Sequence, residues 1–368
     1  MFTKYRLRQY DFKLVIFVLA LAVIGIMAVS SADESLYHRQ MWGVIGGTVI
    51  MVILSLFDYN LILKFYWFYY IANIILLLMV IFWGEETNGA QRWINIAGIR
   101  FQPSESAKLL IILFFAMFIM KHEEEFSSFI YVLLSIVLFA VPAALVYSQP
   151  DLSTTVIICI IFAVIVFAGN LSFRVISAVV AVALPVFLII LYLIMQPDQT
   201  IVSDYQKNRI MAFFNKEDTA NDAGYQQTYS VMAIGSGQLS GKGFRNNEIY
   251  SVKNADFIAE QQTDFIFAVI GEEFGFIGTC SVIILIFLIS IECFMVSHRA
   301  SNTAGRIIAA GTGAALGFQS FINIGVVTYI LPNTGLPLPF VSYGLTSLIV
   351  SFASIGVVLN VGLQSEPK

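Results

Sequence analysis

Charge, cysteine and histidine are all scarce in this chain, and each scarcity excludes something. Asp, Glu, Lys and Arg make up only 12% of the 368 residues, against about 25% in a soluble globular domain. That shortfall excludes an ordinary water-exposed surface. The three cysteines (Cys159, Cys280 and Cys293) each lie inside an apolar run. Neither a disulfide framework nor a metal-binding spacing can be built from them. The three histidines stand too far apart to share a helix face, which removes a zinc site. Net charge is −4 and no basic block occurs, so a nucleic-acid partner is excluded.

Hydrophobicity fills the gap. Apolar residues are 58% of the chain and the mean hydropathy is +0.82. Runs long enough to cross a bilayer predict an all-α polytopic membrane protein with about ten transmembrane helices. They fall near 14–31, 41–57, 65–83, 105–120, 129–147, 154–169, 173–195, 265–296, 306–331 and 342–362. Basic residues before the first run and the SSA after it imitate a signal peptide, but the succession of further spans favours an uncleaved helix.

Lys and Arg set the orientation. With the N-terminus inside, the short inner segments hold ten of them and the short outer segments four (Arg39, Arg92, Arg100 and Lys108). The long segment 196–263 is left out of the count, because long loops cross regardless of charge. Both termini are therefore expected in the cytoplasm.

No fixed-period repeat and no linker divides the chain, so residues 1–368 read as a single membrane domain. Two segments, 84–104 and 196–263, are expected as extracellular loops. The first is polar and glycine-rich, and its Pro103–Ser104 reads as a helix start. The second, between helices 7 and 8, is too long for a simple connection and carries apolar residues such as Tyr225, Val231 and Phe244 that can pack. Connections on the other side are short, so any chemistry faces outward.

The stretch AEQQTDFIFAVIGEEFGF, 259–276, puts Asp264 at the mouth of an apolar run and Glu272 and Glu273 inside it. An ionisable group at membrane depth marks function by default. Two readings of Asp264 stand side by side: a cap on the eighth helix, or a general base at the water–lipid boundary. On a continuous helix Glu272 lies about 12 Å deeper, too far for a glycosidase carboxyl pair unless the helix breaks at Gly271. Glu273 points roughly opposite Asp264 and reads as structural; Glu272 stays open.

Glu105 and Lys108 are spaced i, i+3 at the start of the fourth helix. A buried ion pair is the simpler reading, the wall of a catalytic cavity the other. Asp151 in QPDLST reads as a helix cap. Glu292 and Lys64 lie near helix ends and need no function. Basic residues of the long segment (Lys207, Arg209, Lys216, Lys242, Arg245 and Lys253) read as solvated surface or as partners for an anionic lipid head group. GSGQLSGKG beside Lys242 is not a P-loop. PNTGLPLPFVSYGLTS, 332–347, is irregular chain before the last helix, suited to line a cavity.

Together GAQRWINIAGIRFQPSESAK (89–108), QPDLST (149–154), DYQKNRI…GYQQTYSVMAIGSGQLSGKGF (204–244), EQQTDFIFAVIGEEFGF (260–276) and TGLPLPFVSYGLTS (334–347) resemble the RodA/FtsW family of bacterial cell-wall polymerases, in the family's order. QRW and the short termini look more like the RodA branch. The resemblance implies a peptidoglycan glycosyltransferase that polymerises lipid II by an inverting reaction, for elongation and shape. It carries the family's essential aspartate onto Asp264, its loop tryptophan onto Trp93, its acid–base pair onto Glu105 and Lys108, and an arginine onto Arg209. Two residues depart from the pattern, Leu345 and Gln238, each where glycine is common. The resemblance also implies a class B penicillin-binding protein as partner, with Mg²⁺ or Mn²⁺ as a candidate cofactor for which no ligand cluster is visible. A lipid II flippase and an FtsW-type division polymerase are the rival readings.

Overall fold

The computed structural model describes residues 10–87, 90–96, 98–126, 128–169, 204–214, 222–245, 251, 258 and 261–365. Twelve α-helices are described: α1 Phe12–Ala32, α2 Tyr37–Leu56, α3 Tyr59–Leu63, α4 Tyr66–Trp83, α5 Pro103–Lys121, α6 Phe129–Ser148, α7 Leu152–Ala168, α8 Asp204–Phe214, α9 Asp222–Ser236, α10 Ile266–Arg299, α11 Thr303–Val327 and α12 Leu345–Leu363. Eight are long and apolar enough to cross a membrane, and α7, at 17 residues, is a shorter apolar helix. The span expected at 173–195 lies outside the described residues. The chain is a multi-pass membrane protein.

Burial follows from the sequence of each helix. α5, α11 and α12 form the centre, where Phe114, Phe115, Ile307, Ile308, Phe352 and Ile355 are inaccessible. The outer helices instead turn large apolar side chains outward, among them Phe68, Phe82, Trp83, Ile130 and Phe287. That is the arrangement a hydrocarbon solvent allows. Small residues permit close crossings: a Cβ on Gly356 of α12 would fall 2.7 Å from Met51 O of α2, so those helices meet backbone to backbone.

The chain crosses back and forth, so its irregular segments gather at two ends. One end holds 33–36, 84–87, 90–96, 98–102, 149–151, 237–245, 261–264 and 328–344, together with α8 and α9. The opposite end holds 57–65, 122–126, 128 and 300–302, together with the start of α1 and the finish of α12.

Several expected boundaries shift. The polar segment 84–104 is not merely a loop: it holds a three-stranded antiparallel sheet, β1 Glu85–Thr87, β2 Ala90–Ile96 and β3 Ile99–Phe101, in the order β1-β2-β3. The Asn88–Gly89 dipeptide between β1 and β2 is a hairpin signal that hydropathy alone passes over. Pro103 starts α5 as expected, since its missing N–H costs nothing at a first turn. α11 stops at Val327, not near 331, where Tyr329 takes a left-handed φ of 58° and the N–H groups of Ile330 and Leu331 both turn back to Gly325 O. α12 begins at Leu345, because 332–344 stays irregular. In the long segment, α9 packs against the end of α11: Gln227 Nε2 donates to Val326 O and Leu331 O, both at 2.8 Å, and Ser230 Oγ to Val327 O at 2.7 Å.

Candidate active site

α10 carries the break that shapes this end. Gly275 has φ 62° and ψ −156°, a conformation open in practice only to glycine. The break falls at Gly275, not at Gly271 as entertained from the sequence. It interrupts the helical ladder, leaving Glu272 O and Glu273 O without Phe276 N–H and Ile277 N–H. The loop after α9 supplies a partner for all four. Phe276 N–H donates to Gln238 O (2.8 Å) and Ile277 N–H to Leu239 O (3.2 Å), while Lys242 N–H reaches Glu272 O (2.9 Å) and Gly243 N–H reaches Glu273 O (3.0 Å). A Cβ on Gly241 would lie 2.1 Å from Glu273 O, and one on Gly237 1.9 Å from Gly271 O. The glycines of GSGQLSGKG are thus seats for a helix backbone. Gln238 holds a φ of 49°, which accounts for glycine at the matching place in the family pattern.

This docking fixes two sequence candidates. Lys242 Nζ pairs with Glu272 Oε1 at 2.7 Å, tying the loop to the buried start of α10. Glu273 accepts from Ser31 Oγ of α1. Arg245 meets Glu34 at 3.3 Å on the surface. A second pair lies deeper: Lys108 Nζ donates to Glu105 Oε1 at 2.8 Å, with both residues almost wholly buried. Lys108 also donates to Gln319 Oε1 of α11, and Gln319 Nε2 donates to Pro337 O at 2.8 Å. The ion pair is therefore wired to the irregular segment 332–344.

Asp264 is half-buried two residues ahead of α10. Phe265 occupies the N-cap and makes no side-chain cap bond, which corrects the capping alternative for Asp264. Asp151 does cap, accepting from Thr154 N–H at 3.1 Å and from Thr154 Oγ1 and Ser104 Oγ. Asp264's neighbours come from far along the chain. Gly335, at φ 71°, is so close that a Cβ there would lie 3.2 Å from Asp264 Oδ2 and 3.0 Å from Arg209 Nη1. A carboxylate from the start of α10 and a guanidinium from α8 thus converge on one glycine. At the same end Ser153 Oγ donates to Thr334 O at 2.8 Å, and Arg92 reaches Pro150 O from the sheet. Trp93 is half-buried on β2 opposite Glu85. Asp264 and Arg209 come together; Glu105–Lys108 and Lys242–Glu272 are separate pairs around them.

Sequence reasoning missed the amides of α11. Asn323 Nδ2 donates to Asp264 O (2.7 Å) and Leu336 O (2.6 Å), one turn beyond Gln319. Polar side chains four apart within an apolar run were the available signal. Among the described residues no three His, Cys, Asp or Glu side chains cluster. A Mg²⁺ held by one or two carboxylates and the oxygens of a bound phosphate needs no such cluster.

Residues 8–366 match the FtsW/RodA/SpoVE family model, described as a cell cycle protein. The peptidoglycan glycosyltransferase MrdB of Escherichia coli K12 is 34% identical over 354 residues, covering 95% of this chain and 93% of MrdB. A probable peptidoglycan glycosyltransferase FtsW of Geobacter metallireducens is 31% identical over 379 residues, covering 98% and 96%. Among solved structures, a chain from a study of polymerization and crosslinking by a peptidoglycan synthase complex superposes with TM-score 0.78 at 26% identity, covering 96% of this chain and 97% of that one. The rod shape determining protein RodA of Thermus thermophilus superposes with TM-score 0.70 at 26% identity, covering 98% of each chain.

Proposed function

The chain belongs to the FtsW/RodA/SpoVE family, and on that premise we propose how its Asp264 end carries out glycosyl transfer. The protein is a peptidoglycan glycosyltransferase. Its substrate is lipid II, a disaccharide pentapeptide on undecaprenyl pyrophosphate, polymerised into β-1,4 glycan. The observation that carries this reading is the convergence of the Asp264 carboxylate and the Arg209 guanidinium on Gly335. Glycosyl transfer needs a base for the attacking hydroxyl and a cation for the departing pyrophosphate.

In the proposed reaction Asp264 takes the proton from the 4-hydroxyl of the acceptor GlcNAc. That oxygen forms a bond to C1 of the donor MurNAc from the face opposite the leaving group. The C1–phosphate oxygen bond breaks, the pair of electrons leaves with undecaprenyl pyrophosphate, and α becomes β. Arg209 offsets the charge that develops on the pyrophosphate. No general acid is required, because the leaving group departs as a stable anion. One positioned base is worth about 10²–10⁴ in rate. Two further carboxylates near this end, Glu105 and Glu272, are each engaged by a lysine. That supports a single-base reaction over an ion-coupled carrier.

The Asp264 end is read as facing outward with both termini in the cytoplasm, which the ten-to-four split of Lys and Arg supports. A class B penicillin-binding protein crosslinks the product, and the pair serves elongation and shape, in keeping with the MrdB and RodA relatives. The test is reconstitution of the purified chain with lipid II alone. One undecaprenyl pyrophosphate released per β-1,4 bond formed is the expected result. Labelled lipid that crosses the bilayer without polymer would contradict it.

A further inference from the structure

Asp264 stands outside the hydrogen-bond ladder of α10, so the helix does not fix its backbone. Three donors from later in the chain act on three successive carbonyls instead. Tyr343 N–H donates to Gln262 O (2.9 Å), Ser342 Oγ to Thr263 O (2.6 Å) and Asn323 Nδ2 to Asp264 O (2.7 Å). Asn323 differs from the others in what else it holds. Its amide also donates to Leu336 O at 2.6 Å, the residue next to Gly335. One side chain thus binds both chain segments whose meeting brings Asp264 Oδ2 and Arg209 Nη1 to the same glycine. Asn323 is 1% exposed. Both its amide hydrogens are used, and reversing the amide would set its oxygen against two carbonyls, so its orientation is fixed.

We propose that Asn323 is a positioning residue for glycosyl transfer. It acts through Asp264, fixing the carboxylate relative to Arg209, and does not touch substrate. The proposal rests on the reading of Asp264 as the base. Misplacing a reacting group by about 1 Å costs on the order of 10²-fold, with no need for weaker substrate binding.

The test measures turnover of lipid II by purified Asn323→Ala and Asn323→Asp, beside Asp264→Asn and Asn360→Ala. Asn360 is an equally buried amide at the opposite end, donating to Ser55 O at 2.8 Å and accepting from Tyr59 N–H at 2.9 Å. Asn323→Ala is expected to lose kcat by about 10²-fold, with KM little changed and the acid limb of the pH–rate profile displaced. Asn323→Asp keeps the shape but loses both donors when ionised and regains one on protonation. Its rate relative to Asn323→Ala therefore rises as pH falls. Asn360→Ala should lower Tm and leave the acid limb in place. Wild-type kcat in Asn323→Ala overturns the proposal; so does a loss with an unmoved acid limb and a Tm drop like that of Asn360→Ala. Polymer made by Asp264→Asn would instead remove the base reading beneath it, whatever the Asn323 variants do.

Discussion

The two ends of the helix bundle are held together by different chemistry. At the end away from Asp264, a mesh of side chains bonded to side chains stands beside a few bonds to the main chain, such as that of Asn360 to Ser55 O. Asn60 Nδ2 donates to Asp58 Oδ1 and Gln364 Oε1, both at 3.0 Å, and Gln364 Nε2 donates to Asp58 Oδ1 and Asn360 Oδ1, both at 2.9 Å. Asn302 Nδ2 joins them at 3.4 Å from Asn60 Oδ1. The connections there are short, and the mesh closes them. At the Asp264 end, side chains bind main-chain carbonyls: Asn323, Gln319, Ser342, Ser153 and Gln227 all do so. Long irregular segments carry many backbone groups that lipid cannot satisfy. Donating side chains from the helices hold those segments in one shape. The difference teaches that irregular chain at membrane depth can be as firmly placed as a helix. At residues 262–264 the bonds that place it fall on carbonyls, and the residue proposed to do chemistry is placed through its backbone.

The sharpest way to break this comparison is to crowd the meeting point. Gly335→Ala would force a Cβ between Asp264 and Arg209 at a left-handed φ. Turnover of lipid II should fall about 10²-fold, while an alanine at Gly46, where a Cβ would meet nothing within 4 Å, should leave it unchanged. Equal activity in the two variants would mean that the crowding does not matter.

Gly275→Ala comes next. It places a side chain in a region reserved for glycine, with Gly241 N at 2.4 Å from the new Cβ. The cost is about 1–3 kcal/mol, read as a lower Tm and faster proteolysis within 237–245. An unchanged Tm would show that the loop does not depend on the α10 break.

The smallest effect concerns Tyr59 at the opposite end. Burial, first, pushes its phenol up from 10.0 to about 12, against hydrogen bonds from Asn302 and Asn60 that lower it. A raised pKa means that the folded state holds the proton more tightly. Stability is then flat below pH 10 and declines as pH climbs from there through about 12. Tyr59→Phe should flatten that alkaline decline in a thermal-melt series, and a decline of the same slope in both proteins would exclude Tyr59 as its source.

Much of this was legible in the sequence, and the losses have physical causes. Hydropathy located α1, α2, α4 to α7 and α10 to α12 to within a few residues, because membrane helices must hide their backbone in long apolar runs. Asp264, Glu105 and Lys108 stood out because a charge inside such a run is costly. The sheet 85–101 and helices α8 and α9 did not, since polar segments carry little periodicity of use. The α10 break at Gly275 was not foreseen, a break having been entertained only as a condition at Gly271, as glycine is common in membrane helices and only its φ tells which one bends. Residue type alone left Arg209 as one of six bases in the long segment, and only the family resemblance singled it out from Lys242. Only tertiary packing sends one to Asp264 and the other to Glu272.

The central claim rests most directly on the turnover of lipid II by purified Asp264→Asn, beside wild-type protein of the same Tm. The amide keeps the shape and every backbone bond of residues 262–264 but cannot accept the proton. The account predicts polymerisation reduced by about 10²–10⁴-fold, with lipid II still bound. Glycan made by the variant at the wild-type rate would contradict it.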